Sequence, residues 1–175
     1  MTAAAADLLA ELARRRLTLV VAESLTGGLL AAEFVAVPGA SRVLLGGVVA
    51  YNTDLKRTLL GVDAALLESN GPVDPDVAAQ MALGVRDRLA VKGVPADIAI
   101  STTGVAGPGS QDGHAAGHTY IAVAFGSGVR VTELTLAGSR DQIRRAAVAE
   151  ALDLLALCME DGSQQPPSSG GSQGE

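Results

Sequence analysis

Three groups of residues in this 175-residue chain have types and spacings suited to nucleophilic or anion chemistry. The first is Ser24, in Glu23-Ser24-Leu25-Thr26-Gly27-Gly28. A short apolar run precedes it and an apolar helical pattern follows. Ser24 is therefore expected at the carboxyl end of a strand and the start of a helix, where α/β sheets bind ligands. The backbone at Thr26, Gly27 and Gly28 offers N–H groups that a helix start leaves unpaired, and the glycines permit close approach. Such donors suit an oxyanion or a phosphate. The plainer reading of the same position is that Ser24 or Thr26 caps the helix. The second group is Lys56, in Tyr51-Asn52-Thr53-Asp54-Leu55-Lys56. A lysine near Ser24 and partly removed from water would lose proton affinity and could act as base for the hydroxyl. The plainer reading is a solvated helix lysine beside Asp54. The third is the Gly-rich stretch Thr102-Thr103-Gly104-Val105-Ala106-Gly107-Pro108-Gly109. It follows an apolar strand, a usual place for a phosphate cradle. It has neither the Lys-Ser/Thr pair of a Walker A loop nor G-x-G-x-x-G spacing, and an ordinary mobile loop would look similar.

Other patterns carry less. His114 and His118 have H-x-x-x-H spacing, but Gly113 and Gly117 argue against the helix that would align them, so no metal site is expected. Gly170-Gly171-Ser172-Gln173-Gly174 matches G-x-S-x-G literally, without strand or helix around it. Arg140, Arg144 and Arg145 open the last helix. Arg140 and Arg144 share a face and could meet an anion, or simply form an exposed salt-bridged surface.

The elements that must position these residues follow from pattern and punctuation. Helices are expected over Ala3–Arg15, Leu29–Val37, Thr53–Leu60, Ala64–Ser69, Asp76–Val91 and Ser139–Leu157, the last capped by Ser139. Strands are expected over Leu17–Ala22, Leu44–Tyr51, Asp97–Thr103, His118–Phe125 and Val129–Leu136, the last two joined as a hairpin by Gly126-Ser127-Gly128. Gly104–Gly117 reads as a loop. Strands alternate with helices early and a hairpin comes late. The expected fold is α/β: three layers, α/β/α, around a mixed, mostly parallel sheet ending in a hairpin. One domain over residues 1–160 is expected, followed by a disordered Gly/Ser/Gln/Pro-rich tail over 161–175.

Composition narrows the function. Hydrophobic residues make up 48% of the chain but aromatics only 2%, so stacked aromatic platforms for sugars or single-stranded nucleic acid are excluded in practice. The formal net charge is −6, which argues against nucleic acid as a partner. A single cysteine, Cys158, forbids an internal disulfide and a Cys-rich zinc site. No apolar run reaches membrane-spanning length and no basic leader opens the chain, so a cytoplasmic protein is expected.

Taken in order, these segments resemble the CinA C-terminal domain family, whose enzymatic members are nicotinamide-nucleotide amidohydrolases (NMN deamidases). The resemblance is carried by Ala22–Gly28, Gly47–Tyr51 through Lys56, Leu60-Gly61-Val62, Gly71-Pro72-Val73 with Val77-Ala78, Thr103–Pro108, and Gly138-Ser139-Arg140 with Ile143-Arg144. It implies that Ser24 is the nucleophile, Lys56 its general base and Tyr51 an assistant. It also implies that the Thr103–Gly107 loop, with Thr103, Gly104, Ala106 and Gly107, binds the nucleotide together with an Arg of the last helix, either Arg140 or Arg144. No metal and no organic cofactor are implied; the partner is a small-molecule nucleotide, and a homo-oligomer is plausible for the family. The alternative within the family is a nucleotide-binding accessory protein with little or no deamidase activity. The sequence departs from the family pattern at three places. Leu25 replaces the usual Cys after the nucleophile, and Ser139 replaces the Asp of Gly-Asp-Arg. Gly113-His114-Ala115-Ala116-Gly117-His118 stands where Gly-Lys-Pro-Val-Gly-Thr is common. Many family chains carry an additional N-terminal domain, and this one has the length expected of the stand-alone form.

Overall fold

The run Leu19-Val20-Val21-Ala22-Glu23 is buried along its whole length, which requires a layer of helices on each face of the strand. The computed structural model, which describes residues 2–162, has that arrangement. Its elements are α1 (Ala3–Arg15), β1 (Leu19–Glu23), α2 (Leu29–Val35), a 3-10 turn (Ala40–Arg42), β2 (Leu44–Val49), α3 (Thr53–Leu60), α4 (Ala64–Asn70), α5 (Pro75–Arg88), β3 (Ile98–Gly104), β4 (His118–Phe125), β5 (Gly128–Thr135) and α6 (Arg140–Gly162). The sheet order is β2-β1-β3-β4-β5. β1 pairs in parallel with β2 and β3, while β3–β4 and β4–β5 are antiparallel. The sheet is thus mixed, parallel around β1 and closed by a hairpin. Side chains alternate across it: Leu19 and Val21 pack with α1, α2 and α6, whereas Val20 and Ala22 pack with α3 and α5.

The differences from the sequence expectations have local causes. β1 starts two residues late because α1 ends with Arg16 in the left-handed region (φ 58°) and Leu17 N–H still donates to Leu12 O. β2 stops at Val49, so Tyr51 lies in the β2–α3 connection. α6 runs past Leu157 because Cys158 and Met159 face the core. Residues 161 and 162, expected in the tail, are therefore helical, and 163–175 lie outside the described residues together with the G-x-S-x-G match. No described helix is long and apolar enough to cross a membrane.

Caps fix the ends that matter for the site. Asn52 caps α3 by accepting from the Asp54 N–H at 2.9 Å, and Asp74 caps α5 by accepting from Asp76 and Val77. Ser139 caps α6 reciprocally. Its hydroxyl accepts from the Gln142 N–H at 3.4 Å, while the Gln142 side chain accepts from the Ser139 N–H at 2.8 Å.

α3 can dock on α5 because position 84 is glycine. A β carbon there would lie 1.7 Å from the Leu60 carbonyl oxygen. The docked helix turns Lys56 and Leu60 inward and leaves Asp54 and Arg57 outside, paired at 2.8 Å. Gly84→Ala should therefore cost about 3 kcal/mol of stability, since the clash is with backbone that cannot rotate away. Gly46→Ala, where the nearest atom would be Leu89 Cδ1 at 3.7 Å, should be near neutral. Urea unfolding of both variants tests this: equal midpoints would show that Gly84 does not set the helix docking.

Candidate active site

β1 and β3 are parallel neighbours, and their carboxyl ends open at the same edge of the sheet. Ser24 follows β1 directly, and its N–H donates to Thr102 O of β3 at 3.0 Å. The chain then turns: the Gly27 N–H donates to Ser24 O at 3.1 Å. Gly28, at φ 96°, cannot cap α2 with a side chain. That task falls to Glu23, whose fully buried carboxylate accepts from Gly28, Leu30 and Ala31 at 2.8, 3.1 and 2.8 Å. Glu23 carries no expected role in the sequence; its signal is a carboxylate at the end of an otherwise apolar strand, just before a helix that lacks a capping residue.

Above the turn, Leu25 packs with Ala106, Ile143 and Ala147. The residue that replaces the family's Cys is thus a hydrophobic anchor of the turn to α6. Thr26 is buried, and its hydroxyl shares a hydrogen bond of 2.8 Å with that of Thr102. It is therefore not a free substrate contact through its side chain. The amides of Gly27 and Gly28 are also committed, to Ser24 O and to Glu23. Among the described residues, the N–H groups of the turn without a protein acceptor are those of Leu25 and Thr26.

Lys56 is only 1% exposed, against the usual habit of lysine. Its Nζ donates to Ala50 O at 3.1 Å, and among the described residues no carboxylate pairs with it. Desolvation without a counter-charge lowers its pKa well below the ordinary lysine range, to about 8. The solvated-lysine alternative is excluded, and Asp54, its expected neighbour, pairs with Arg57 instead.

Ser24, Leu25, Tyr51, Thr53 and Lys56 line one cleft of about 270 Å³, together with Pro72, Val73, residues 103–111 and Arg140. Thr103, Gly104, Ala106 and Gly107 are all in its wall. Thr103 contributes no free hydroxyl, because its Oγ1 donates to Pro72 O at 2.6 Å. Gly104 must be small: a β carbon would meet His118 O at 2.6 Å. Tyr51 stands at the mouth, 59% exposed. Arg140 reaches across, donating to Gly107 O and to the Tyr51 hydroxyl, each at 2.7 Å. The Ser139 substitution thus leaves Arg140 held by two neutral acceptors rather than by a carboxylate. The lining includes two cations and no Asp or Glu.

The structure separates the two arginines that the sequence left as alternatives. Arg140 lines the cleft, whereas Arg144 lies behind the turn and donates to Leu25 O and Thr26 O. Residues 113–118 do not line the cleft but back its wall: the Val105 N–H donates to His118 O at 2.9 Å and the Gly117 N–H to Val105 O at 2.7 Å. His114 and His118 stack with ring centroids 4.7 Å apart, and no metal-binding cluster occurs among the described residues. Volume alone does not select the cleft. A hollow of about 410 Å³ at the β4–β5 hairpin is lined in part by Arg130, Cys158 and Asp161. There burial pushes the Cys158 thiol pKa up, away from reactivity.

A serine at a strand-to-helix turn and a buried, unpaired lysine, sharing one cleft at the carboxyl ends of parallel strands, define an α/β domain with a candidate Ser/Lys centre. The chain belongs to the CinA C-terminal domain family, which residues 1–159 match. A CinA-like protein of Frankia casuarinae is 46% identical over 144 residues, covering 82% of this chain and 32% of that protein. One of Gloeobacter violaceus is 47% identical over 147 residues, with 82% and 33% covered. The chain thus spans about a third of the length of these curated relatives. The solved CinA superfamily protein of Escherichia coli superposes with a TM-score of 0.82 at 31% identity, covering 89% of this chain and 88% of that one. The competence/damage inducible protein CihA of Agrobacterium tumefaciens gives 0.80 at 33% identity, with 88% and 92% covered.

The buried ammonium has a measurable cost. Lowered in the folded state, the Lys56 pKa means that the unfolded chain binds more protons between about pH 8 and the ordinary lysine value. The penalty is full below pH 8 and disappears as pH rises through that window. It amounts to about 3 kcal/mol, offset in a Lys56→Met variant by about 1–2 kcal/mol for the orphaned Ala50 carbonyl. Lys56→Met should be more stable than wild type by about 1 kcal/mol at pH 7 and lose that advantage by about pH 10. Denaturation midpoints across this range decide it; a pH-independent difference would mean that the lysine is not buried as a cation.

Proposed function

We propose that this chain is an amidohydrolase that converts nicotinamide mononucleotide to nicotinate mononucleotide and ammonia through an acyl-enzyme on Ser24. The observation that carries the reading is the shared cleft: one hydroxyl, one buried amine with no counter-ion, and an Arg-bearing Gly-rich wall.

Neutral Lys56 takes the Ser24 proton as Oγ attacks the carboxamide carbon. The carbonyl oxygen becomes an oxyanion, for which the uncommitted Leu25 and Thr26 amides serve as donors in this reading. The C–N bond then breaks, and the nitrogen leaves as ammonia with the proton from Lys56, passed directly or relayed through the Tyr51 hydroxyl, so that Lys56 is neutral again. Lys56 next deprotonates a water that attacks the ester carbon. The acid departs and Ser24 regains its proton. Only the uncharged amine starts the cycle, and its pKa near 8 leaves an appreciable neutral fraction at neutral pH.

Arg140 and the amides of Ala106 and Gly107 are the phosphate end of the site; the Val105 N–H between Gly104 and Ala106 is spent on His118 O. Binding energy gained there positions the amide at the other end. With Arg140 as the cation of the reactive form and no carboxylate in the lining, the cleft has nothing to balance the pyridinium except the substrate's own phosphate. This sets the selectivity: a mononucleotide is accepted, whereas its riboside, a bare cation, is disfavoured.

Ammonia release from the mononucleotide tests the activity, and Ser24→Ala should reduce turnover by at least about 10³-fold with the fold retained. In wild type, kcat/KM should climb with pH and level off above about 8. An active wild type with an equally active Ser24→Ala would reject the nucleophile. Nucleotide binding without ammonia would support the accessory-protein alternative.

A second prediction concerns Arg140. Arg140→Ala should lower kcat/KM for the mononucleotide by roughly 10–100-fold and shrink its preference over the riboside, because a charge-assisted contact is worth about 1.5–3 kcal/mol. An unchanged preference would remove Arg140 from the phosphate site.

A further inference from the structure

Arg144 has no place in the cleft, yet it makes the principal side-chain contacts to the nucleophile turn. Its Nε donates to Leu25 O at 3.0 Å and its Nη2 to Thr26 O at 2.7 Å. Among the described residues no carboxylate pairs with it; Asp141, one turn earlier on α6, pairs with Arg145 at 2.7 Å. Its charge is therefore delivered to two backbone carbonyls. Gly27 leaves room for the approach: at φ 60°, a β carbon there would lie in tight contact, 3.2 Å from Nη2.

A peptide is planar and trans, so its C=O and N–H point in opposite directions. The Leu25 carbonyl shares a peptide plane with the Thr26 N–H, which has no protein acceptor. A cation on the oxygen draws electron density from that N–H and directs it away from α6. The Thr26 carbonyl shares a plane with the Gly27 N–H, which closes the turn on Ser24 O. We propose that Arg144 is a positioning residue: it polarises the Thr26 amide as an oxyanion donor and fixes the turn that aims Ser24, without touching the nucleotide. The inference rests on the Ser24 mechanism proposed above. As the Oγ–C bond forms, the carbonyl π pair moves onto oxygen and the Oγ proton passes to Lys56. Negative charge on that oxygen exists only from this step onward. A stronger donor therefore favours the transition state over the bound substrate, and its loss falls on kcat rather than KM.

The test compares wild type, Arg144→Ala and Arg144→Lys. Ammonia-release kinetics are measured beside the affinity for two ligands. One is the 3-formyl analogue of the mononucleotide, whose aldehyde carbon accepts Ser24 Oγ to give a tetrahedral hemiacetal oxyanion. The other is nicotinate mononucleotide, the planar product. In Arg144→Ala, kcat should fall roughly 10–100-fold with KM within about twofold, as for a weakened oxyanion donor. Affinity for the formyl analogue should fall by a comparable factor and affinity for the product should hold. Added guanidinium should restore part of the rate. Arg144→Lys keeps the charge without the fork and should lie between; it carries the same criteria if Arg144→Ala does not fold. A raised KM with kcat preserved would make Arg144 a nucleotide contact and overturn the proposal. Equal losses for both ligands would reduce it to a structural role and overturn it too. A wild type that neither releases ammonia nor prefers the formyl analogue brings down the Ser24 mechanism itself, and this inference with it.

Discussion

The constraint on which the rest depends is a lysine held out of water with no anion beside it. Removing an ammonium from solvent is costly, and proteins usually offset the cost with a carboxylate. Here the nearest acid on the same helix, Asp54, is turned outward to Arg57, and Nζ has one neutral acceptor, Ala50 O. The fold holds the residue in place through packing elsewhere. Leu60, one turn on from Lys56, is buried against α5, and Gly84 gives the Leu60 carbonyl room. A proton affinity suited to base work near neutrality is thus produced by helix docking, not by a partner side chain.

The serine is positioned by a different logic. Its turn has the carbonyls of Ser24, Leu25 and Thr26 occupied and the amides of Leu25 and Thr26 left over. Glu23 takes the amides at the start of α2, Arg144 takes the carbonyls of Leu25 and Thr26, and Leu25 clamps the turn into an apolar cluster with α6. One face of α6 thereby serves both halves of the cleft: Arg140 bridges the Gly-rich loop and Tyr51, and Arg144 braces the turn.

Much of this was legible in the chain. Apolar period and punctuation located all the strands and the six α-helices, and the ranges of α1, α3 and β4 agree residue for residue, because each ends on a strong signal: Arg16 and Leu17 after α1, Gly61 after α3, Gly126 after β4. The layer order and hairpin followed from element alternation. Ser24, the Gly-rich loop and Lys56 were visible as residue types at suitable places. What was not legible depends on contacts between segments distant in sequence. That Lys56 is buried follows from a glycine on another helix. That Arg144 turns away from the cleft while Arg140 faces it follows from how α6 sits over the β1–α2 turn. Glu23 was visible as a letter, but its role needed the knowledge that Gly28 begins α2 without a cap. The amides of Gly27 and Gly28 resembled free donors in sequence and are taken in the structure, which leaves those of Leu25 and Thr26 as the uncommitted donors of the turn.

Leucine at position 25 has one more consequence. The only sulfhydryl in the chain is Cys158, beneath the hairpin at the amino end of β3, while the cleft opens at the carboxyl end of that strand. The groups around the cleft that the proposed mechanism uses are an alcohol, an amine, a phenol and a guanidinium. Peroxide and thiol-alkylating electrophiles find no sulfur to attack there, so the proposed chemistry would be insulated from oxidation by composition rather than by shielding.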